Sequence, residues 1–370
     1  MLPPDYLATV SDDVVKIYNE MNEQITADIC RRIIKTGEVT DTAAWQAKQA
    51  QEAGKLFDDV VSDVAQATGR TNAEIAKLFE DAGVKSVQYD AAPLIKAGVK
   101  AETGLSPAMM NVLEANARKT ERNLANLTLT TASQAQMSFI NATSQATMLV
   151  QSGTMDYQTA IRRVINQVGQ TGAIVMYPTG NSMSLEAAAR LNILTSVNQT
   201  AGELTMMNTK RLDCEYFETS AHMGARLSHT FWQGRVFKIE GADEYPNFYD
   251  ETGYGEPDGL CGCNCRHSFF PYWPDISKPA YSEEDLKRYA EHSVNYNGVK
   301  YSDYEASQIQ RRYERAIRDS KRTIAGYDAA IEEADSEETR RALLAGKDHA
   351  KAVYNDRRAR WTDFCKQTGF

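Results

Sequence analysis

The chain has 370 residues, of which 42% are hydrophobic and 25% charged, and this balance argues against a fully disordered protein. Its length exceeds what one hydrophobic core usually serves, so two or more folding units are expected. The net charge of -9 arises within residues 1–280, because residues 281–370 carry equal numbers of basic and acidic side chains. Such a charge distribution argues against a broad nucleic-acid-binding surface.

The sequence has no feature that would direct it into or across a membrane. Its first residues do not place a basic segment before an apolar one, and no run approaches the roughly 18 to 20 apolar residues needed to cross a bilayer. The six cysteines do not have the spacing of a secreted disulfide framework. We therefore expect a reducing cytoplasm, with thiols that are free or bound to a metal.

Residues 1–105 predict a bundle of short helices. Apolar residues recur at helical spacing over residues 11–37 and predict an amphipathic helix. A second helix is predicted from Asp41. Thr71 begins the pattern of a capping box and predicts a third helix, which ends near Gly83.

Residues 106–205 predict long helices with a short hairpin. Pro107 is suited to the first turn of a helix, and the helical pattern continues to about Leu149. Part of this segment is rich in Thr, Ser, Gln and Ala, which favours close helix packing, either between subunits or within one domain. A further helix is predicted from Tyr157, and the turn residues at 178–181 predict the hairpin.

Residues 206–280 differ in composition and predict a small, irregular α+β module. Four of the six cysteines and three of the five histidines lie between Cys214 and Trp273. Because aromatic side chains bury large areas, we expect those of this segment to form its core. These aromatic residues are Phe231, Trp232, Tyr245, Phe248, Tyr249, Phe269, Phe270, Tyr272 and Trp273.

The same module contains a candidate zinc site. Zinc prefers four thiolate or imidazole ligands in a tetrahedron, commonly a close pair from one turn and a second pair from a distant segment. Cys265 and His267 form a close pair, and His222 and His229 can supply the rest, although the spacing matches no standard zinc finger. The four residues are candidate ligands of a structural zinc ion, and the interpretation weighed ahead of it is a hydrogen-bonded core without metal. Other cysteines weighed as ligands are Cys214, Cys261 and Cys263.

A catalytic role is a competing hypothesis for these histidines. The carboxylates closest to them in sequence, with which they would form a hydrolase or nuclease, are Asp213, Glu215 and Glu218. However, the sequence contains no nucleophile elbow, no phosphate-binding loop and no HExxH motif. We therefore assign no catalytic residue and no cofactor other than zinc.

Residues 281–370 predict charged helices that form a carboxy-terminal hairpin. Ser282 and the three acidic residues after it predict a helix start. The segments 302–318 and 321–364 carry few apolar residues, as expected for helices that are mostly solvated. The predicted fold class is thus mainly α: a helical amino-terminal region, the α+β module rich in Cys, His and aromatic residues, and the helical hairpin.

Four segments of the chain resemble the phage minor capsid protein 2 family and, more distantly, the Mu F-like head morphogenesis proteins of tailed bacteriophages. They are residues 184–201, 218–237, 259–274 and 363–370, whereas the first 180 residues match only in being helical. The family pattern falls on His222, Gly224, Arg226, His229, Trp232, Gln233, Gly234, Cys265, Arg266 and His267. The CGC before Asn264 departs from that pattern, so Cys261 and Cys263 are not assigned to it.

The resemblance implies a structural protein of the phage head, present in few copies beside the portal and the major capsid protein. It would act in head assembly or genome delivery, in a virion assembled in the host cytoplasm, and it would not be an enzyme. Contact with packaged DNA and homo-oligomerisation stay open, and no membrane partner is expected in the assembled head. The first alternative is a zinc-dependent nuclease, or another DNA-processing enzyme, packaged in the head. The second is an effector delivered with the genome, for which the sequence contains no separate toxin-like domain.

Overall fold

The computed structural model describes residues 2–177 and 179–370, without the side chains of Thr128 and Leu129. The chain is mainly helical, as predicted. Its helices are α1 (Pro4–Thr9), α2 (Asp12–Thr36), α3 (Thr42–Lys96), α4 (Pro107–Ala125), α5 (Leu127–Gln151), α6 (Tyr157–Thr171), α7 (Leu185–Arg211), α8 (Phe248–Thr252), α9 (Glu283–Glu291), α10 (Asp303–Glu332) and α11 (Glu337–Thr368). Its strands are β1 (Ile174–Met176), β2 (Ser182–Ser184), β3 (Tyr216–Thr219), β4 (Val236–Lys238), β5 (Phe269–Tyr272), β6 (Ser293–Tyr296) and β7 (Val299–Ser302).

The chain forms two compact units, each assembled from three separate stretches of sequence. Unit 1 contains the chain up to Val14, Thr71–Asn123 and Arg190–Gln308. Unit 2 contains Val15–Arg70, Leu124–Ala189 and Ile309–Phe370. The predicted division into four consecutive segments, at residues 105, 205 and 280, stays a prediction.

The amino-terminal helices agree with the sequence in one case and differ in another. Helix α2 begins and ends within one residue of the predicted bounds. In contrast, the predicted second and third helices are one continuous helix, α3, because neither Thr71 nor Gly83 interrupts it. Thr71 is fully buried inside α3, and Gly83 allows the Leu113 side chain to approach the helix closely. Thr71 and Gly83 thus contribute to packing inside α3 and do not mark helix ends.

The predicted long helix over residues 107–149 is divided at Asn126 into α4 and α5. Helix α5 carries the segment rich in small and polar residues, and in unit 2 it packs on the first half of α3. Gln49 of α3 donates to Thr143 Oγ1 at 2.6 Å, and Gln136 of α5 donates to the Ala53 carbonyl at 3.1 Å. At these positions the polar residues serve contacts within the chain; homo-oligomerisation stays a prediction.

The predicted hairpin is confirmed: β1 and β2 pair antiparallel, with Ile174 opposite Ser184. Pro178 of its predicted turn lies outside the described residues. Glu186, just after β2, is buried and accepts a hydrogen bond from Asn22 Nδ2 at 2.9 Å. The buried Arg322 guanidinium lies 3.7 Å from the same carboxylate, which supplies the partner that a buried charge requires.

The carboxy-terminal helices form the predicted hairpin within unit 2. Arg357 of α11 donates to Ser320 Oγ of α10 at 2.9 Å, and the rings of Tyr313 and Phe364 lie 5.8 Å apart. These pairs run in opposite order along the two helices, so α10 and α11 are antiparallel. None of the described helices is both long enough and apolar enough to span a bilayer.

Candidate metal centre

The candidate site lies in unit 1 on a three-stranded antiparallel sheet of order β4-β3-β5. Side chains alternate between the two faces of a strand, so Phe217 of β3 shares a face with Phe237 and Phe269. The Phe217 ring lies 4.7 Å from that of Phe269 and 4.9 Å from that of Phe248. This aromatic cluster is the core that the composition predicts, and it fixes the loops that follow β3 and precede β5.

The predicted aromatic core is correct for Trp232, Phe248, Phe269 and Tyr272, which are buried. It is wrong for Phe231, which is 79% exposed, and for Tyr249, which is 44% exposed. Adjacent residues of a tight loop point in different directions, so Trp232 can enter the core only if Phe231 leaves it.

Two segments bring the candidate ligands together. The loop between β3 and β4 contains a 3-10 turn, Leu227–His229, which points the His229 ring inward. The second segment is a tight turn before β5, in which Cys261 and Asn264 adopt positive φ angles of 59° and 55°. This turn presents Cys265 and His267 to His229.

Three of the four predicted ligands converge on one point. Nδ1 of His229 and Nδ1 of His267 are 3.3 Å apart. The Sγ atom of Cys265 lies 3.6 Å from Nδ1 of His267 and 3.9 Å from Nδ1 of His229. All three side chains are buried, each with at most 2% of its surface exposed.

The outer nitrogen of each histidine is held by an oxygen acceptor. His229 donates through Nε2 to the Asp258 carbonyl at 2.9 Å, and His267 donates through Nε2 to Gln233 Oε1 at 3.1 Å. The Gln233 oxygen also accepts from the backbone N–H of His222 at 3.2 Å, which identifies it as the oxygen of the amide. Both imidazoles therefore carry their proton on Nε2 and direct the lone pair of Nδ1 towards Cys265.

Further contacts hold the rings and the turn in place. Trp232 packs against both rings, 4.6 Å from His229 and 4.8 Å from His267. Asn198 of α7 donates to the carbonyls of Cys265 at 3.1 Å and of His267 at 2.9 Å. The backbone N–H of His267 donates to Cys265 Sγ at 3.4 Å. Asn198 has no special signal in the sequence, because a polar residue in a long helix is ordinary.

His222, the fourth predicted ligand, lies beside this group. Its ring stacks on that of His267, with centroids 4.3 Å apart and an interplanar angle of 27°. It donates through Nδ1 to the Met223 carbonyl at 2.7 Å, and its buried Nε2 has no hydrogen-bond partner among the described residues. His222 therefore offers an unused acceptor next to the three converging atoms.

Burial determines the protonation of these groups. It lowers the pKa of His222 to about 4 and lowers the pKa values of His229 and His267 below the usual range for histidine. Burial also raises the pKa of the Cys265 thiol, with backbone hydrogen bonds opposing it. At neutral pH the three imidazoles are uncharged, which is the form that binds a metal.

The other residues considered as ligands or catalysts lie elsewhere. Cys214 donates to the carbonyls of Tyr216 and Tyr272 at 3.3 and 3.2 Å, and Cys263 is exposed. Cys261 is buried in the aromatic cluster, with its Sγ 3.7 Å from the His267 carbonyl. Among the described residues, no carboxylate belongs to the group of converging ligand atoms.

The sequence comparison that decides the family covers nearly all of the chain. The profile of the family described as phage minor capsid protein 2 matches residues 2–353, which include the whole site. The chain is a member of the phage minor capsid protein 2 family. The resemblance is thus confirmed, and this minor capsid protein is a bacteriophage structural protein and a component of the virion.

Two relatives of this minor capsid protein are also phage structural proteins. The structural protein of Lactococcus phage LL-H is 26% identical over 289 residues, covering 74% of this chain and 75% of the relative. The structural protein of Lactococcus phage mv4 is 37% identical over 75 residues, covering 20% of this chain and about half (51%) of the relative. No solved structure matches the chain.

Most residues of the family pattern in this minor capsid protein surround the three converging ligands. Arg226 donates to the Cys263 carbonyl at 2.6 Å and so joins the loop to the turn. Gly234 has a φ of +66°, and a Cβ atom there would lie 2.5 Å from the Leu286 side chain, so only glycine fits without a shift. The pattern thus marks the residues that build the site as well as its ligands.

Proposed function

We propose that this phage structural protein is a low-copy component of the head that docks on the portal and the major capsid protein and acts in head assembly or genome delivery. Membership of the minor capsid family over residues 2–353 is the observation that carries this proposal. The chain would join the head in the host cytoplasm and would have no enzymatic role.

One surface feature supports docking through the loop that carries His229. Leu227 and Phe231 flank His229 in this loop. They are 81% and 79% exposed, the largest exposed fractions among the apolar side chains described. Two large apolar side chains on a loop that is anchored by the buried His229 and Trp232 can act as anchors in a partner's pocket. We assign to this pair the contact with the head proteins.

The test replaces both anchors and counts the copies of the chain in assembled heads. Heads assembled with the Leu227→Ser/Phe231→Ser variant should contain about tenfold fewer copies per portal, since anchor residues each contribute more than about 1 kcal/mol. Quantitative mass spectrometry of purified heads measures the number of copies per portal. Co-purification of the chain with the portal protein alone, and with the major capsid protein alone, shows which of the two it binds.

Met148→Ser is the matched control, because Met148 is 70% exposed on helix α5, far from the loop in sequence. It should leave the copy number unchanged. Equal incorporation of the double variant and the wild type, at equal melting temperature, would refute docking through this loop.

A packaged zinc-dependent nuclease is the second candidate. One observation favours it: three protein ligands leave a fourth zinc position for water, as in catalytic sites. The burial of all three ligands opposes it, because a nucleic-acid strand needs access to that water. The zinc-loaded chain should therefore cleave neither single- nor double-stranded DNA, and cleavage that disappears in the His267→Ala variant would establish this candidate instead.

A further inference from the structure

The three converging ligand atoms have the spacing that a tetrahedral zinc ion requires. With Zn–N bonds of about 2.05 Å and a Zn–S bond of about 2.3 Å, tetrahedral angles place two nitrogens about 3.3 Å apart and a nitrogen and a sulfur about 3.6 Å apart. The observed separations are 3.3 Å between the Nδ1 atoms of His229 and His267, and 3.6 and 3.9 Å from these atoms to Cys265 Sγ. An ion fits between them with little movement of the chain.

The hydrogen bonds of the two histidines leave a need for a cation. Both rings donate through Nε2, so two Nδ1 lone pairs face each other at 3.3 Å with no proton of their own between them. The single S–H proton of Cys265 can satisfy one of these nitrogens at most. A buried acceptor without a donor destabilises the folded chain, and a cation at this point supplies the missing partner for both nitrogens.

We propose that His229, Cys265 and His267 bind one zinc ion and that His222 completes its coordination. Two imidazoles and a thiolate select zinc over magnesium or calcium, which prefer oxygen ligands. The oxygen partners of Nε2 and the N–H donor to Cys265 Sγ are the outer contacts that typically orient metal ligands.

His222 is the fourth ligand because its Nε2 is buried, unprotonated and without a hydrogen-bond partner among the described residues. Its ring is already in contact with that of His267, so a rotation of the side chain brings Nε2 towards the ion. Cys261 is the other nearby buried thiol, but it lies outside the group of converging ligand atoms, and its Sγ is directed to the His267 carbonyl at 3.7 Å.

The ion has a structural role. It joins the loop at His229 to the turn at Cys265, two segments otherwise connected by single hydrogen bonds such as that of Arg226 to Cys263. Because His229, Cys265 and His267 are at most 2% exposed, these three ligands close the ion off from solvent and substrates. Because zinc binds the folded chain and not the unfolded chain, it raises the stability of the folded chain by mass action.

The first experiment measures zinc in the purified, tag-free chain produced in zinc-supplemented medium. One zinc per chain is expected in the wild type and none in Cys265→Ser. Cys263→Ser is the matched control, because Cys263 lies two residues away but is exposed, and it should keep its zinc. A wild-type chain without zinc overturns the proposal, even if Cys265→Ser fails to fold.

The second experiment replaces zinc by cobalt(II), whose visible spectrum reports tetrahedral geometry and thiolate ligation. Gln233→Leu removes the acceptor of His267 Nε2 and should weaken metal binding about 10- to 100-fold. His222→Ala should weaken it further and change the spectrum as water replaces a ligand. An unchanged affinity and spectrum in His222→Ala refutes the fourth ligand, and a spectrum without a thiolate band in the wild type refutes Cys265.

This inference does not depend on the proposed role in the head. Zinc is measured on the isolated chain, whereas docking is measured as copies in assembled heads. A zinc-loaded chain that fails to enter heads, or a zinc-free chain that enters them, therefore identifies which of the two proposals is wrong.

Discussion

At the scale of single residues, Glu218 shows how burial changes the chemistry of a side chain that the sequence presents as an ordinary surface acid. It lies on β3, opposite the aromatic face, and is fully buried. One carboxyl oxygen accepts the backbone N–H of Ala280 at 2.7 Å, and the other has no partner among the described residues. Burial raises the pKa of Glu218 to about 7, with the backbone hydrogen bonds opposing the shift. The neutral acid is thus the favoured form in the folded chain below about pH 7.

A carboxyl group with a raised pKa makes the folded state bind more protons than the unfolded state, so stability falls as pH rises. We expect Glu218 to reduce the free energy of unfolding by up to about 3 kcal/mol between about pH 4.5 and pH 7. Glu218→Gln keeps the acceptor for Ala280 but does not titrate, so it should gain stability relative to the wild type across this interval.

Urea unfolding of both proteins at several pH values measures this difference, and comparing them cancels the opposite contribution of the buried histidines. A stability difference that does not vary with pH would show that Glu218 is already ionised in the folded chain. Tyr272 and Tyr281 are the titratable groups that interact with this carboxyl group, and both have raised pKa values.

At the scale of elements, some glycines within helices allow close packing, which their low helix propensity does not reveal. A glycine weakens an isolated helix. Gly169 lies inside α6, which ends at Thr171, and it lets Thr323 of α10 approach the backbone of α6. A Cβ atom at Gly169 would lie 2.5 Å from the Thr323 Cα atom. Gly346 of α11 similarly accommodates the ring of Tyr327.

Gly169→Ala should therefore destabilise the chain by about 1 to 3 kcal/mol, because the contact is with backbone that cannot turn aside. Gly69→Ala in α3 is the matched control: nothing lies within 4 Å of the added atom, so the better helix former should stabilise by about 0.5 to 1 kcal/mol. Thermal melting of the two variants should give shifts of opposite sign, and shifts of the same sign would contradict this account of Gly169.

At the scale of the whole molecule, the first 105 residues contribute to both compact units. Val15–Arg70 belong to unit 2, whereas Thr71–Asn123 belong to unit 1. The amino-terminal stretch is also anchored in unit 1, since Ser268 Oγ donates to the Leu2 carbonyl at 2.6 Å. Each unit thus depends on residues from the amino-terminal third of the chain.

A chain that begins at residue 106 should accordingly lose the cooperative melting transition of both units, since core residues of each are removed. A chain lacking only Gly369 and Phe370, which lie beyond the end of α11, should melt close to the wild type. Calorimetry and circular dichroism of the two truncated chains make the comparison. A cooperative transition in the shorter chain would show that one unit is complete without these residues.

Much of the local structure was determined by the sequence itself. Helix starts such as Pro107 and Ser282, the β1–β2 hairpin and the α10–α11 hairpin follow from periodicity, capping residues and turn chemistry, which act between near neighbours in the chain. The β6–β7 hairpin was missed although its signal is present: Asn297-Gly298, both with positive φ, between short strands. The family pattern likewise includes the four candidate ligands.

Only the tertiary structure decided which of these residues meet. His229 and Cys265 are separated by 36 residues, and their approach depends on the aromatic cluster and on Asn198. The sequence immediately around the two residues does not reveal either of these contacts. The continuity of α3 through Thr71 and Gly83 was decided in the same way, because burial against other elements outweighs the weak local preferences for ending a helix. Local interactions fix the elements, whereas packing between distant segments selects the partners.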